Sequence, residues 1–333
     1  MLPQSQKETI AGQRFSMVEP SAETQVGTMR ATSVRVRSLA FGLVSAATLI
    51  WLVSPAQTAT PIPDLSGLWA RPYIGFEPPL SGPGPIVNRS RVGGQSNLSQ
   101  FVGDYTSPIL KPHAAEIVKR HGDIERSGTA APNPSNQCLP MSPPYILQRQ
   151  QIQLLQQDHQ ITILYAEDHQ VRRVRLNGKH PEHVIPSWYG DSIGRFEGDT
   201  LVVDTVGIKV GPHSMIDSYG TPYSEALHLI ERYRLIDYDA GQAAAARSER
   251  ENRRLLADSL TGNGVGIDTE YKGKALQVQF TVEDENVFTM PWSATSTYWR
   301  ASGEWTERAC AENTNSYYAG QNDSTPTAKQ PDF

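Results

Sequence analysis

From Gln151 onward the chain alternates. QIQLLQ and VRRVRL place apolar and polar residues on opposite faces with a period of two, and ITILYAE between them is β-branched and apolar. SIGRFE and TLVVDT flank Gly198-Asp199, a favoured two-residue turn between strands. LHLIERYRLID reads as a further strand, although Glu231 and Arg232 could also share one face of a helix. ALQVQFTVED and VFTMPWSATSTYWR flank Glu285-Asn286 as another hairpin. So many consecutive strands with tight turns predict a mainly β fold, an antiparallel meander that closes into a barrel or a sandwich.

The rest of the chain interrupts this pattern. Pro72 to Asn97 is crowded with Pro and Gly, which predicts extended surface loop. A short helix is expected over Pro112–His121, with Pro112 at the permissive first turn. Pro132 to Pro144, PNPSNQCLPMSPP, cannot be regular structure. Gln242 to Leu260 is rich in Ala, Arg, Glu and Leu, and its propensity predicts a helical excursion from the sheet.

The N-terminal region carries its own signal. Arg30, Arg35 and Arg37 precede the apolar run Leu39–Val53, and Ser54-Pro55-Ala56 offers small residues for cleavage. Residues 29–56 therefore read as a secretory signal, with an uncleaved N-terminal anchor as the alternative; the apolar run is short for a membrane span. Residues 1–28 are polar and aperiodic, either a leader before a true start at Met29 or a disordered tail. What remains is a single domain over 57–313, with a helical insertion at 242–260 and a polar, disordered tail at 314–333. The expected location is periplasmic or secreted, with no stable membrane span after signal cleavage.

Composition then narrows the chemistry. Lys and Arg total 30 against 35 Asp and Glu, a net charge of −5, so no basic face for nucleic acid is expected. The only two cysteines, Cys138 and Cys310, are either a disulfide or two free thiols, and export favours the disulfide. No nucleophile elbow, phosphate-binding loop, dinucleotide fingerprint or zincin motif occurs, so no cofactor is expected.

The ionisable residues cluster between Lys179 and Leu235. His180 and His183 are the one close histidine pair, and a loop presenting both is the weaker, metal-binding alternative. Trp188 and Tyr189 precede Asp191, aromatics that could line a pocket and raise the acid's pKa. Arg195 and Glu197 share one face of their strand, as a cross-strand pair or as pocket residues. Asp199 is a turn former, and Asp204 requires a partner such as Arg195 or Arg232. If SEALHLIERYR is a strand, His228, Ile230, Arg232 and Arg234 share one face, and Leu229, Glu231 and Tyr233 the other. His228 is the candidate general base because an unperturbed imidazole titrates near neutrality. Asp191, Glu225 or Glu231 could orient it.

Gly67-Leu68-Trp69 ahead of a β-meander resembles the opening strand of lipocalin-type barrels. DLSGLW, NQCLP, ITILYAEDHQVRRVRLNGKHP, SWYGDSIGRFEGDTLVVDTVG, SEALHLIERYRLID, FTVEDENVFTMPWS and CAEN together are similar to a large family of exported bacterial proteins. That resemblance implies a periplasmic or secreted β-rich domain and transfers no catalytic assignment.

The expected fold is thus mainly β, a lipocalin-like β-barrel with loop and short helical insertions, enclosing a pocket for a small apolar or aromatic organic ligand. The expected activity is cofactor-independent acid–base catalysis by a lyase, isomerase or hydrolase. His228 would be the base, Asp191 or Glu225 its orienter or the acid, and Arg195 or Arg232 the stabiliser of negative charge. Trp188, Tyr189 and Tyr233 would shape the pocket. The competing expectation is a non-catalytic carrier using the same pocket.

Overall fold

The computed structural model describes residues 61–148, 151–252, 265–304 and 310. The expected signal segment, the residues before it and the tail at 314–333 lie outside the described residues. Strand β1 (Gly67–Ala70) is followed by a small hairpin of β2 (Arg91–Val92) and β3 (Gln95–Ser96), and by helix α1 (Pro112–Arg126). Then come β4 (Gln151–Gln156), β5 (Gln160–Tyr165), β6 (Gln170–Leu176), β7 (Asp191–Glu197), β8 (Thr200–Val206) and β9 (His228–Ile236). Helix α2 (Tyr238–Glu251), β10 (Val265–Ile267), β11 (Ala275–Glu283) and β12 (Trp292–Gly303) complete the chain order.

Nine strands close on themselves in the order β1-β4-β5-β6-β7-β8-β9-β11-β12. The seam is β1 against β12, antiparallel, with Trp69 opposite Arg300. This is the mainly β, lipocalin-like barrel that the alternation predicts. One pair departs from a pure antiparallel meander: β6 and β7 run parallel, Val174 opposite Ser192. The long connection from Asn177 to Gly190 makes this possible, because a parallel neighbour needs a crossover rather than a tight turn.

Alternation decides what fills the barrel. Trp69, Ile152, Leu154, Ile163, Tyr165, Val174, Leu201, Val203, Leu229, Tyr233, Val278, Phe280 and Tyr298 are all buried in one apolar cluster. Each large side chain removed from water contributes about 1.5–3 kcal/mol. The buried 3-10 turn Tyr145–Gln148 packs against this core, where the Leu147 carbonyl accepts from Arg71 Nη1 at 2.9 Å and from the Tyr298 hydroxyl at 3.0 Å. Cys138 and Cys310 form the expected disulfide, with their Cα atoms 5.3 Å apart.

Three local expectations are corrected. The Gly198-Asp199 turn forms, with Gly198 at φ +63°; the hairpin around Glu285-Asn286 also forms, β11 pairing antiparallel with β12, but its connection is longer than the expected two-residue turn. There the Asp284 carboxylate accepts the N–H groups of Ser224 at 2.6 Å and Asn286 at 3.1 Å. Val287 and Phe288 drop into the core, and β12 starts only at Trp292. Helix α1 continues past His121 to Arg126, because Ala114, Val118, Gly122 and Glu125 keep a buried stripe in helical register. Helix α2 starts at Tyr238, four residues before the expected Gln242, and ends at Glu251; residues 253–260 of the expected insertion lie outside the described residues.

Candidate functional site

Most of the ionisable residues singled out by the sequence lie on the outer face of strands β7, β8 and β9. The inward residues there are Ser192, Gly194, Leu201, Val203, Thr205, Leu229, Glu231 and Tyr233, while Asp191, Arg195, Glu197, Asp204, His228 and Arg232 face outward. Arg195 and Arg232 stand opposite Val202 from its two sides. Both reach Glu197, at 2.6 Å and 3.0 Å, and their stems cover the buried Val202. Hydrogen bonds from Arg232 and then Arg195 hold the Glu197 carboxyl below its usual range.

Asp204 accordingly does not pair with Arg195 or Arg232. It sits in a ladder of alternating basic and acidic side chains that crosses five strands, β6, β7, β8, β9 and β11. Arg175 donates to Asp191 at 2.8 Å, and His180 Nδ1 meets the same oxygen at 2.6 Å. His180 Nε2 faces Asp204 at 3.3 Å, His228 Nε2 faces Asp204 at 2.9 Å, and His228 Nδ1 faces Glu283 at 3.0 Å. An imidazole can donate from both nitrogens only when protonated. For His228, partial burial works against the charge, but its hydrogen bonds to the Asp204 and Glu283 carboxylates outweigh it and raise the pKa.

The structure therefore gives His228 two carboxylate neighbours, but not those named from sequence. Asp191 reaches it only through His180 and Asp204. Glu225 is exposed, and Glu231 points to the other side of the strand. His183 is exposed, and no group of three or more His, Cys, Asp or Glu side chains among the described residues is arranged to hold a metal ion. Trp188 lies under Lys209, whose Nζ is 5.1 Å from the ring centroid. Tyr189 stacks on Tyr165 and donates to Gln170.

Inside the barrel Glu231 forms a fully buried pair with Arg172. Arg172 Nη1 donates to Oε1 at 3.0 Å and Nη2 to Oε2 at 2.5 Å. Arg172 also donates to Ser192 at 3.1 Å and Thr205 at 2.7 Å, and the Tyr233 hydroxyl donates to Glu231 at 2.8 Å. Burial would drive the guanidinium pKa down, but the Glu231 charge holds it well above its usual value. Tyr233 is thus a core residue that fixes Glu231. Arg172 was legible in VRRVRL, where the period of two puts it on the inward side with Val174.

The largest cavity described, about 520 Å³, lies beside α1. Phe101, His121, Tyr145, Asn133 and Asn136 are among its walls, and Gln151 is the sole contribution from a barrel strand. His121 projects from α1 and packs against Gly220, where an added Cβ would come within 2.5 Å of ring atoms. Both ring nitrogens are buried and lack a well-aligned hydrogen-bond partner among the described residues, although the Phe101 backbone lies close enough to interact with the ring. Burial lowers the His121 pKa, more than the nearby Glu125 charge and the Phe101 backbone raise it, so the ring is neutral at pH 7. Glu125 is itself fixed, accepting the N–H groups of Phe101 at 3.1 Å and Ala131 at 2.7 Å. The sequence reading placed His121 only at a helix end. Its signal is its place three residues beyond Val118 on the edge of the buried stripe, a weak cue because most such histidines are core residues.

Comparison with protein-family models, with curated proteins and with solved structures finds no match to this chain. Its class is therefore defined by the fold alone, as a mainly β closed barrel.

Proposed function

We propose that this protein is an exported enzyme that acts on a small organic molecule by general acid–base chemistry, with His121 as the base and the cavity beside α1 as the site. The observation that carries this reading is a largely buried imidazole, its pKa lowered by burial and its nitrogens without a well-aligned partner, in the wall of a cavity large enough for a small molecule. A base must be unprotonated and within reach of its proton; burial lowers the His121 pKa and the residue lines the cavity, whereas both nitrogens of His228 already face carboxylates. On taking a proton, His121 becomes an imidazolium whose charge the Glu125 carboxylate, one helical turn further on, favours. The proton then returns to a different atom of the ligand or to its leaving group, as an isomerase or lyase requires.

The lining indicates the ligand's character. Phe101, Leu98 and Tyr145 offer apolar surface, while Asn133, Asn136 and Gln151 offer amide groups. A compact cyclic or aromatic molecule carrying hydroxyl or carbonyl groups fits that mixture. No helix among the described residues is long and apolar enough to cross a membrane.

The test begins with a thermal-shift screen of small aromatic, terpenoid and lactone compounds on wild type and His121→Asn. Stabilising compounds are then incubated in deuterium oxide and followed by NMR. Exchange of a ligand C–H for deuterium, or its conversion, by wild type and not by His121→Asn supports the reading. Tight binding with neither exchange nor conversion favours the carrier function instead.

A further inference from the structure

A second cavity, about 330 Å³, opens on another side of the molecule, between α2, the Asp268–Lys272 loop and the outer face of β12. Its walls are unusually aromatic for a surface cleft: Tyr73, Tyr238, Tyr271 and Trp299 all line it. Trp299 belongs to β12, and Tyr238 opens α2 and meets it edge to face, centroids 5.6 Å apart at 64°. Gly241 lets the helix come this close, since a Cβ there would lie 2.7 Å from the Trp299 ring. Two carboxylates, Glu249 and Asp268, share the lining with the single cation Lys272.

The position of Lys272 indicates what these walls recognise. Its Nζ lies 5.4 Å from the Tyr238 centroid while donating to the Thr269 carbonyl at 2.7 Å. A ring face in this cleft is therefore already occupied by an ammonium of the chain itself. Aromatic faces attract cations through their quadrupole, and carboxylates at the rim add attraction that is not directional. Asp268 Oδ1 is taken by the N–H groups of Glu270 and Tyr271, at 3.0 Å and 3.2 Å, which fixes the loop carrying it. Glu249 makes no side-chain hydrogen bond or ion pair among the described residues.

We propose that this cleft binds a small quaternary ammonium compound of the choline type, with the Lys272 ammonium as an internal occupant that such a ligand displaces. A methylated cation suits the site better than a primary amine. It has no N–H groups needing acceptors, so ring faces alone can satisfy it. An anion finds only Lys272 against two carboxylates. The site is separate from the His121 cavity and independent of the reading given to it.

The experiment uses the full chain and three probes: choline, tetramethylammonium and 3,3-dimethylbutan-1-ol, the neutral isostere of choline. Binding is read by chemical-shift perturbation of the Trp299 indole N–H, assigned through Trp299→Phe, and by titration calorimetry. Choline and tetramethylammonium should bind saturably, and the neutral isostere about tenfold or more weakly, the difference a desolvated cation–π contact gives. Tyr238→Leu should weaken choline by a similar factor, and Glu249→Gln, an exposed change that leaves the fold alone, by about threefold. Lys272→Met, which keeps the stem but frees the ring face, should tighten choline. Equal binding of choline and its neutral isostere overturns the proposal. So does the absence of saturable binding in both wild type and Lys272→Met, with each shown folded by its thermal transition.

Discussion

Replacing Glu231 by leucine should be among the most destabilising single changes in the barrel, and it separates two roles for this residue. The side chain is fully buried and accepts from both terminal nitrogens of Arg172 and from the Tyr233 hydroxyl. Without it, the Arg172 guanidinium stays in the core with only Ser192 and Thr205 as acceptors. Breaking a buried pair from one side costs about 3–5 kcal/mol, and the orphaned Tyr233 hydroxyl adds about 1–3 kcal/mol. That sum is comparable to the whole stability of many domains, about 5–15 kcal/mol. Removing every member should cost far less, because the desolvation penalty goes with the charges. The triple variant Arg172→Met, Glu231→Leu, Tyr233→Phe is expected within about 2 kcal/mol of wild type. Urea unfolding followed by circular dichroism and tryptophan fluorescence measures both, with coincident transitions as the two-state check. A Glu231→Leu cost below about 1 kcal/mol, the range of solvated surface pairs, would refute the reasoning. So would a triple variant no more stable than the single one.

Three further outcomes follow from other parts of the molecule. His228 has a raised pKa, so its contribution to stability is fully present below the ordinary histidine value of about 6.5 and is lost as pH rises through the higher folded value; the urea midpoint of His228→Gln should fall less between about pH 6 and 9 than that of wild type. The buried Asp217 carboxyl is pushed up to about 6 by desolvation, so its contribution to stability is fully present below its unfolded pKa and is lost as pH rises through about 6. Asp217→Asn should remove that loss, at most about 3 kcal/mol, and midpoints measured at pH 4 and 7 check it. The Cys138–Cys310 bond closes a separation of 172 residues, and chain entropy gives a ceiling of about 5 kcal/mol for the paired serine variant; a measured loss under about 1 kcal/mol would mean that the reduced chain is already confined there.

The barrel was legible because most of its strands are half-buried, and the period of two is clear in β5, β6, β7 and β9, although parts of β8, β11 and β12 are buried on both faces. Even the two faces of β9 were sorted correctly, with His228 and Arg232 on one side and Glu231 and Tyr233 on the other. What alternation does not disclose is the neighbouring strand and its register, and the chemistry depends on those. His228 meets Asp204, which is 24 residues away, and Glu283, which is 55 away. Nearby in sequence, Glu225 and Glu231 end up exposed and on the opposite face. Closure through a first strand at Gly67-Leu68-Trp69 was expected from its likeness to a lipocalin-type opening strand, whereas the parallel β6–β7 pair was hidden, since a long connection rather than local pattern sets it.

The same physics is the reason for proposing His121 as the base rather than a residue of the dense charged run. On an outer sheet face, acids and bases at alternate positions find each other across strands, and each pairing removes the property that catalysis needs. Carboxylates at both nitrogens of His228 favour its protonated form, which has no lone pair to offer, and an arginine committed to Glu197 is not free to meet a developing oxyanion. A usable base must be kept away from such partners and yet be desolvated enough to stay neutral. His121 satisfies this because it projects from a helix beside irregular, Pro- and Gly-rich segments, where few side chains are placed to pair with it. Those segments carry no periodicity. The part of the chain whose pattern says least is therefore where an unpaired imidazole can persist, and the fold keeps it there by packing its ring on Gly220.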